Sequence, residues 1–177
     1  MTRSKEALVL PPVVKTVVVK SPPDQAFHRF TGEMAAWWPL RSHSLGQADA
    51  ETVVMEGRVG GRIVERIRGG GEAVWGTLTA WDPPRLVAFT WHPGQDPATA
   101  QDVEVRFYPD AGGTRVQLTH SGFERLGAMA RKAQRGYSLG WKHVLGFYAD
   151  QRGAFMFFMG ALTTVMIAVQ RRPRKAA

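Results

Sequence analysis

Between Gly57 and Phe123 five short strand-like runs follow one another, and beyond them the apolar residues switch to a helical spacing. Val13 to Lys20 is a β-branched run closed by Pro11-Pro12 on one side and Ser21-Pro22-Pro23 on the other, which predicts a strand with stops at both ends. Ser21 is placed to cap the helix that follows. Pro22 and Pro23 suit its first turn, Asp24 its positive end, and Phe27 and Phe30 share one face before Gly32 breaks the run. Met34 to Trp37 reads as one more helical turn, which has to stop before Pro39 because the residue ahead of a proline is disfavoured in helix.

Gly57, Gly60 and Gly61 separate two alternating runs, Thr52 to Glu56 and Arg62 to Arg68, as a hairpin turn would. Glu72 to Trp81, Leu86 to Trp91, Val103 to Tyr108 and Thr114 to His120 follow, divided by turn signals that include Asp82-Pro83-Pro84-Arg85 and Asp110-Ala111-Gly112-Gly113. With Val13 to Lys20 these runs predict a seven-stranded antiparallel sheet. The alternation gives it one covered face. Val103, Val105 and Phe107 oppose Asp102, Glu104 and Arg106, while Val116, Leu118 and His120 oppose Arg115, Gln117 and Thr119.

The cover is the stretch from about Glu124 to Gln151, where Leu126, Met129, Ala133, Tyr137, Leu139, Trp141, Val144, Leu145 and Tyr148 recur close to a 3.6-residue period. One long helix is therefore expected across the concave side of the sheet. A curved sheet gripping a helix leaves room for a cavity, and such cavities are default small-molecule sites.

A chain of 177 residues suffices for one domain burying about 70% of its unfolded surface. It contains no cysteine, so disulfides and thiolate chemistry are excluded and any zinc site would need His and carboxylate ligands. The formal charge of +8 does not make a nucleic-acid reader: Arg171, Arg172, Arg174 and Lys175 are bunched at the end and the other positive charges are scattered without a reader motif. Met1 to Lys20 carries charges at Arg3, Lys5, Glu6 and Lys15 and lacks the apolar run of a secretory signal, so a cytoplasmic protein is expected. The stretch 153–170 is apolar, uncharged and flanked by Arg152 and the basic end. As a helix it would be about 27 Å long, just short of a bilayer's hydrocarbon core, so membrane attachment and burial in an oligomer or partner both stay open.

A set of short motifs, in this order and spacing, resembles one family. They are Phe30-Thr31 with Met34 and Trp37-Trp38-Pro39, His43-Ser44, Gly60-Gly61-Arg62, Trp75-Gly76-Thr77, Asp82-Pro83-Pro84-Arg85-Leu86, Phe89-Thr90-Trp91, the string from Gly113 to Phe123, and Gly140-Trp141. The chain resembles the START-like helix-grip superfamily (SRPBCC), in the branch of the activators of heat-shock-protein-90 ATPase, over about residues 13–150. The resemblance implies an α+β fold of order β-α-α-β6-α with an internal hydrophobic pocket. It leaves the chemistry open, because relatives range from lipid carriers to cyclases and chaperone activators.

Candidate chemistry concentrates on a few side chains. Among the 5 histidines, His120 shares the covered face with Val116 and Leu118, near the expected cavity rim. His43 lies in the loop after the double tryptophan, where pockets of the resembled family open. Glu65 shares a face with Ile63 and Ile67 and is expected to point inward. Without a partner its charged form would be destabilised by burial, as in a catalytic acid or ligand anchor; a neighbouring arginine would instead make it structural. Of the 6 tryptophans, Trp75 and Trp91 are placed to line a pocket and Trp38 to close its mouth, with core packing as the other use. Tyr137 and Trp141 belong to the covering helix. No phosphate loop, Ser-His-Asp order or His-x-x-x-His metal spacing is present.

The expected organisation is an N-terminal arm over 1–12, a helix-grip domain over 13–151 and an apolar tail with a basic end over 152–177. The expected ligand site is Trp38, His43, Glu65, Trp75, Trp91, His120, Tyr137 and Trp141, with no metal and no cofactor. The leading reading is a small hydrophobic ligand-binding protein without catalysis. A cyclase- or hydrolase-like enzyme with Glu65 or His120 moving the proton is the second reading, and a chaperone-interacting protein the third.

Overall fold

A computed structural model describes residues 9–149, so the apolar stretch 153–170 and its basic end lie outside the described residues. Strand β1 (Val13–Val19) leads into helices α1 (Pro23–Gly32) and α2 (Met34–Trp37), then into six strands: β2 (Ala50–Met55), β3 (Arg62–Ile67), β4 (Gly71–Asp82), β5 (Leu86–Trp91), β6 (Gln101–Asp110) and β7 (Gly113–Ser121). A turn of 3-10 helix, Phe123–Met129, precedes the last helix, α3 (Ala130–Tyr148).

The strands form one antiparallel sheet in the order β1-β7-β6-β5-β4-β3-β2. Consecutive strands β2 to β7 pair as hairpins, and β1 crosses the molecule to close on β7, setting Val13 opposite His120 and Val17 opposite Val116. The predicted fold class and strand sequence are those observed, and the predicted alternation gives the observed faces. Val103, Val105, Phe107, Val116, Leu118 and His120 are all buried, whereas Asp102 and Arg106 are exposed.

Two predicted details change. Ser21 does not cap α1: its carbonyl accepts the Thr114 hydroxyl (2.8 Å), and the cap position is Pro22, whose ring carries no hydrogen-bonding group. The covering helix starts at Ala130, six residues beyond Glu124, because Gly127 takes a positive φ of 55° that kinks the chain inside the 3-10 stretch.

The core lies between the concave face and the helices and is dominated by rings. Phe27 and Phe30 of α1 meet Phe107 of β6 edge-on, at ring-centre distances of 5.2 and 5.8 Å. Phe30 also meets Tyr148 at the far end of α3, and the Tyr148 hydroxyl donates to the Ala26 carbonyl (2.8 Å), which ties the last helix to the first. Among the described residues no helix is long and apolar enough to cross a membrane.

An aromatic candidate ligand pocket

Between the sheet and α3, at the end of the core where the 39–46 loop arches over, four segments bring aromatic side chains together. Trp75 comes from β4 and Trp91 from the end of β5. The double-tryptophan segment supplies Trp38, and α3 supplies Tyr137, Trp141 and Val144, spaced so that they share one face. Trp38 sits 5.1 Å from Trp75 and 5.9 Å from Trp91 and Trp141, ring centre to ring centre; Trp91 and Trp141 are 5.3 Å apart. At the mouth stand Ser42, His43 and Leu45.

The rings nearly fill the hollow. A cavity of about 40 Å³ remains, enough for water but far below the roughly 300 Å³ at which drug-sized ligand pockets begin. The large indole side chains at Trp38, Trp75, Trp91 and Trp141, for which pocket lining and core packing were the two expected uses, occupy most of the volume that the curved sheet leaves.

The loop over the mouth is held from below by Glu65. This carboxylate is fully buried and accepts three hydrogen bonds, from the Leu45 amide (2.9 Å), the Gly46 amide (2.7 Å) and the Trp75 indole N–H (2.9 Å). Glu65 therefore points inward as the alternation predicts. It has partners, however, and these are backbone amides and an indole, not an arginine. The same loop is braced by the Trp38 indole N–H on the His43 carbonyl (2.7 Å) and the Ser44 hydroxyl on the Leu40 carbonyl (2.5 Å).

His120 likewise stands behind the pocket wall rather than in it. It is fully buried, and its Nδ1 accepts the Trp141 indole N–H (2.9 Å), so the ring is a neutral tautomer protonated on Nε2. Burial lowers its pKa to about 3, which keeps the ring uncharged at neutral pH. His43 does reach the mouth. Its Nδ1 lies 2.8 Å from the Ser42 hydroxyl, and its ring stacks on His143 of α3 at 5.0 Å. Burial, reinforced by the neighbouring His143, lowers the His43 pKa to about 4, and burial also lowers that of His143.

Of the residues singled out in the sequence, Trp38, His43, Trp75, Trp91, Tyr137 and Trp141 thus surround one cavity, while Glu65 and His120 each hold one of its walls. Ser42 and His143 were missed. Ser42 adjoins His43, and only folding sets His143 against that loop. Among the described residues no three His, Asp or Glu side chains converge to hold a metal ion.

No curated protein matches the chain. Solved structures do. An anthrahydroquino-gamma-pyrone synthase, Txn09, solved as a complex, is 33% identical; the match covers 80% of this chain and 97% of that one, with a TM-score of 0.56. Protein MLL2253 from Mesorhizobium loti is 21% identical over 78% of this chain and 94% of its own, TM-score 0.57, and the Aha1 dimer from Colwellia psychrerythraea is 14% identical over 81% and 100%, TM-score 0.55; these two show the shared fold. Residues 20–147 match the family described as activator of Hsp90 ATPase homolog 1-like protein, and the chain belongs to that family, within the START-like helix-grip superfamily.

Proposed function

We propose that the protein binds a small, flat, apolar molecule between Trp38, Trp75, Trp91 and Trp141. The observation that carries this reading is the concentration of indole faces around a cavity where the sheet, α3 and the mouth loop meet, with Ser42 and His43 at its entrance. Core packing alone needs no entrance. Planar aromatic ligands suit such walls because offset and edge-on ring contacts add to the burial of area. The kinship with a synthase of an aromatic polycycle points the same way. A thermal-shift and tryptophan-fluorescence survey of planar polycycles, sterols and fatty acids tests the reading. The polycycles should raise the melting temperature and quench the emission; no shift with any compound would remove the proposal.

A second reading, ring-closing catalysis, is favoured by the Ser42–His43 pair at the mouth. Glu65 is fully buried and already held by three donors, and His120 stands behind Trp141, so the available proton acceptor is the neutral imidazole of His43. An o-hydroxyaryl 1,3-diketone closes to a γ-pyrone with loss of water and serves as the probe. His43→Asn should abolish its conversion without weakening its binding. Conversion at the wild-type rate in that variant, or none in the wild type, would leave binding as the function.

A further inference from the structure

We infer that the molecule held in this pocket carries a hydrogen-bond acceptor, of the ketone or quinone carbonyl kind, that is met by the indole N–H of Trp91. This inference rests on the proposed binding function and specifies its ligand. Trp37, Trp38, Trp75 and Trp141 are all buried, and each N–H is satisfied: by the Arg29 carbonyl (2.8 Å), the His43 carbonyl (2.7 Å), Glu65 (2.9 Å) and His120 (2.9 Å). Trp91 is equally buried, at 3% exposure, yet its Nε1 has no partner among the described residues.

A buried donor left unpaired costs free energy, and folded proteins pair the great majority of theirs. Here the chain provides acceptors, two of them side chains, for every other buried indole and omits one at Trp91, one of the four that wall the cavity. Phenylalanine at this position would supply an apolar ring without the orphan donor. The cavity of about 40 Å³ has to widen before any ring system enters. Trp38, Trp75 and Trp141 pack on Trp91 at 5.9, 5.7 and 5.3 Å and line the cavity with it, so a ring system that parts them comes into contact with the Trp91 indole. A hydrocarbon would leave that donor unsatisfied; a carbonyl oxygen satisfies it. Discrimination by a buried polar group left unpaired is also stronger than discrimination by apolar contact alone.

Fluorene and 9-fluorenone share one tricyclic shape and differ by a carbonyl group, and both are titrated into the full chain and into Trp91→Phe by calorimetry. The wild type should bind fluorenone at least about tenfold tighter than fluorene, and Trp91→Phe should bring the two affinities within about threefold of each other. In proton–nitrogen NMR spectra of the wild type, the Trp91 indole signal should move downfield with fluorenone and not with fluorene, a readout that does not depend on the variant folding. Equal affinities in the wild type, a preference that survives in Trp91→Phe, or an unmoved Trp91 signal would overturn the inference while leaving the pocket reading intact. Failure of both compounds to bind at millimolar concentration would overturn the two together.

Discussion

Glu65 accepts the Leu45 and Gly46 amides and the Trp75 indole, so this one side chain fixes both the loop over the mouth and a wall beneath it. Glu65→Gln keeps the shape but turns an NH2 toward groups that only donate. A buried mismatch of this kind costs about 2–3 kcal/mol. Urea unfolding should show that loss, and hydrogen exchange should speed up at the Leu45 and Gly46 amides; wild-type stability would mean that the carboxylate is no latch. His120 makes the stability depend on pH. Its pKa is about 3 in the folded protein and about 6.5 in the unfolded chain. Between those values the unfolded state binds the extra proton, so the stability of the neutral folded ring is complete above pH 6.5 and falls as the pH drops toward 3. At pH 5, above most carboxylate titration, the loss from this residue is about 2 kcal/mol relative to pH 7, and His43 and His143 act in the same direction. Urea midpoints at pH 7 and pH 5 measure it, and equal midpoints would contradict a neutral buried ring.

Among the secondary-structure elements, the strands were legible as alternating or β-branched apolar runs bounded by Gly, Pro or Asp turns: Leu86–Trp91 falls where the pattern places it, and Val13–Val19 differs by one residue. The start of α3 was not legible, since Leu126 and Met129 continue the helical spacing through Gly127, and only its positive φ breaks the run. The inward turn of Glu65 was legible from Ile63. Its partners were not, because Leu45 and Gly46 lie about 20 residues away in sequence and their amides carry no side-chain signal. Gly76 sits between Trp75 and Thr77 in β4, and a Cβ built there would overlap the Thr90 carbonyl of β5. The two strands approach too closely for any side chain, and Trp75 and Trp91 ride on that approach. Gly76→Ala is therefore expected to cost about 3 kcal/mol or more, a loss readable by thermal unfolding, because backbone must move to relieve the overlap. A melting temperature within a degree or two of wild type would show that β4 and β5 separate easily.

For the whole molecule, the sheet's curvature and the length of α3 fix the size of the space between them, and the sequence settles how much of it is left. Alternation told which side chains face inward, but not that four indoles there would close the hollow to about 40 Å³. Volume depends on rotamers and on how Trp38 folds back, and neither follows from a spacing. The consequence is kinetic. A tricyclic ligand cannot enter the closed form, so binding has to wait for the mouth loop and Trp38 to swing away from α3, against the Glu65 latch and the Trp38 bond to His43. When opening precedes binding, the observed rate levels off at the opening rate instead of rising in proportion to ligand concentration. Stopped-flow tryptophan quenching with a planar ketone should therefore saturate. Glu65→Gln should raise the plateau about tenfold or more, since it weakens the loop's anchor in the closed form without touching the ligand. A rate that stays linear in ligand up to the diffusion-controlled range would mean that the cavity stands open in solution, and that the packed arrangement of the four indoles does not gate the site.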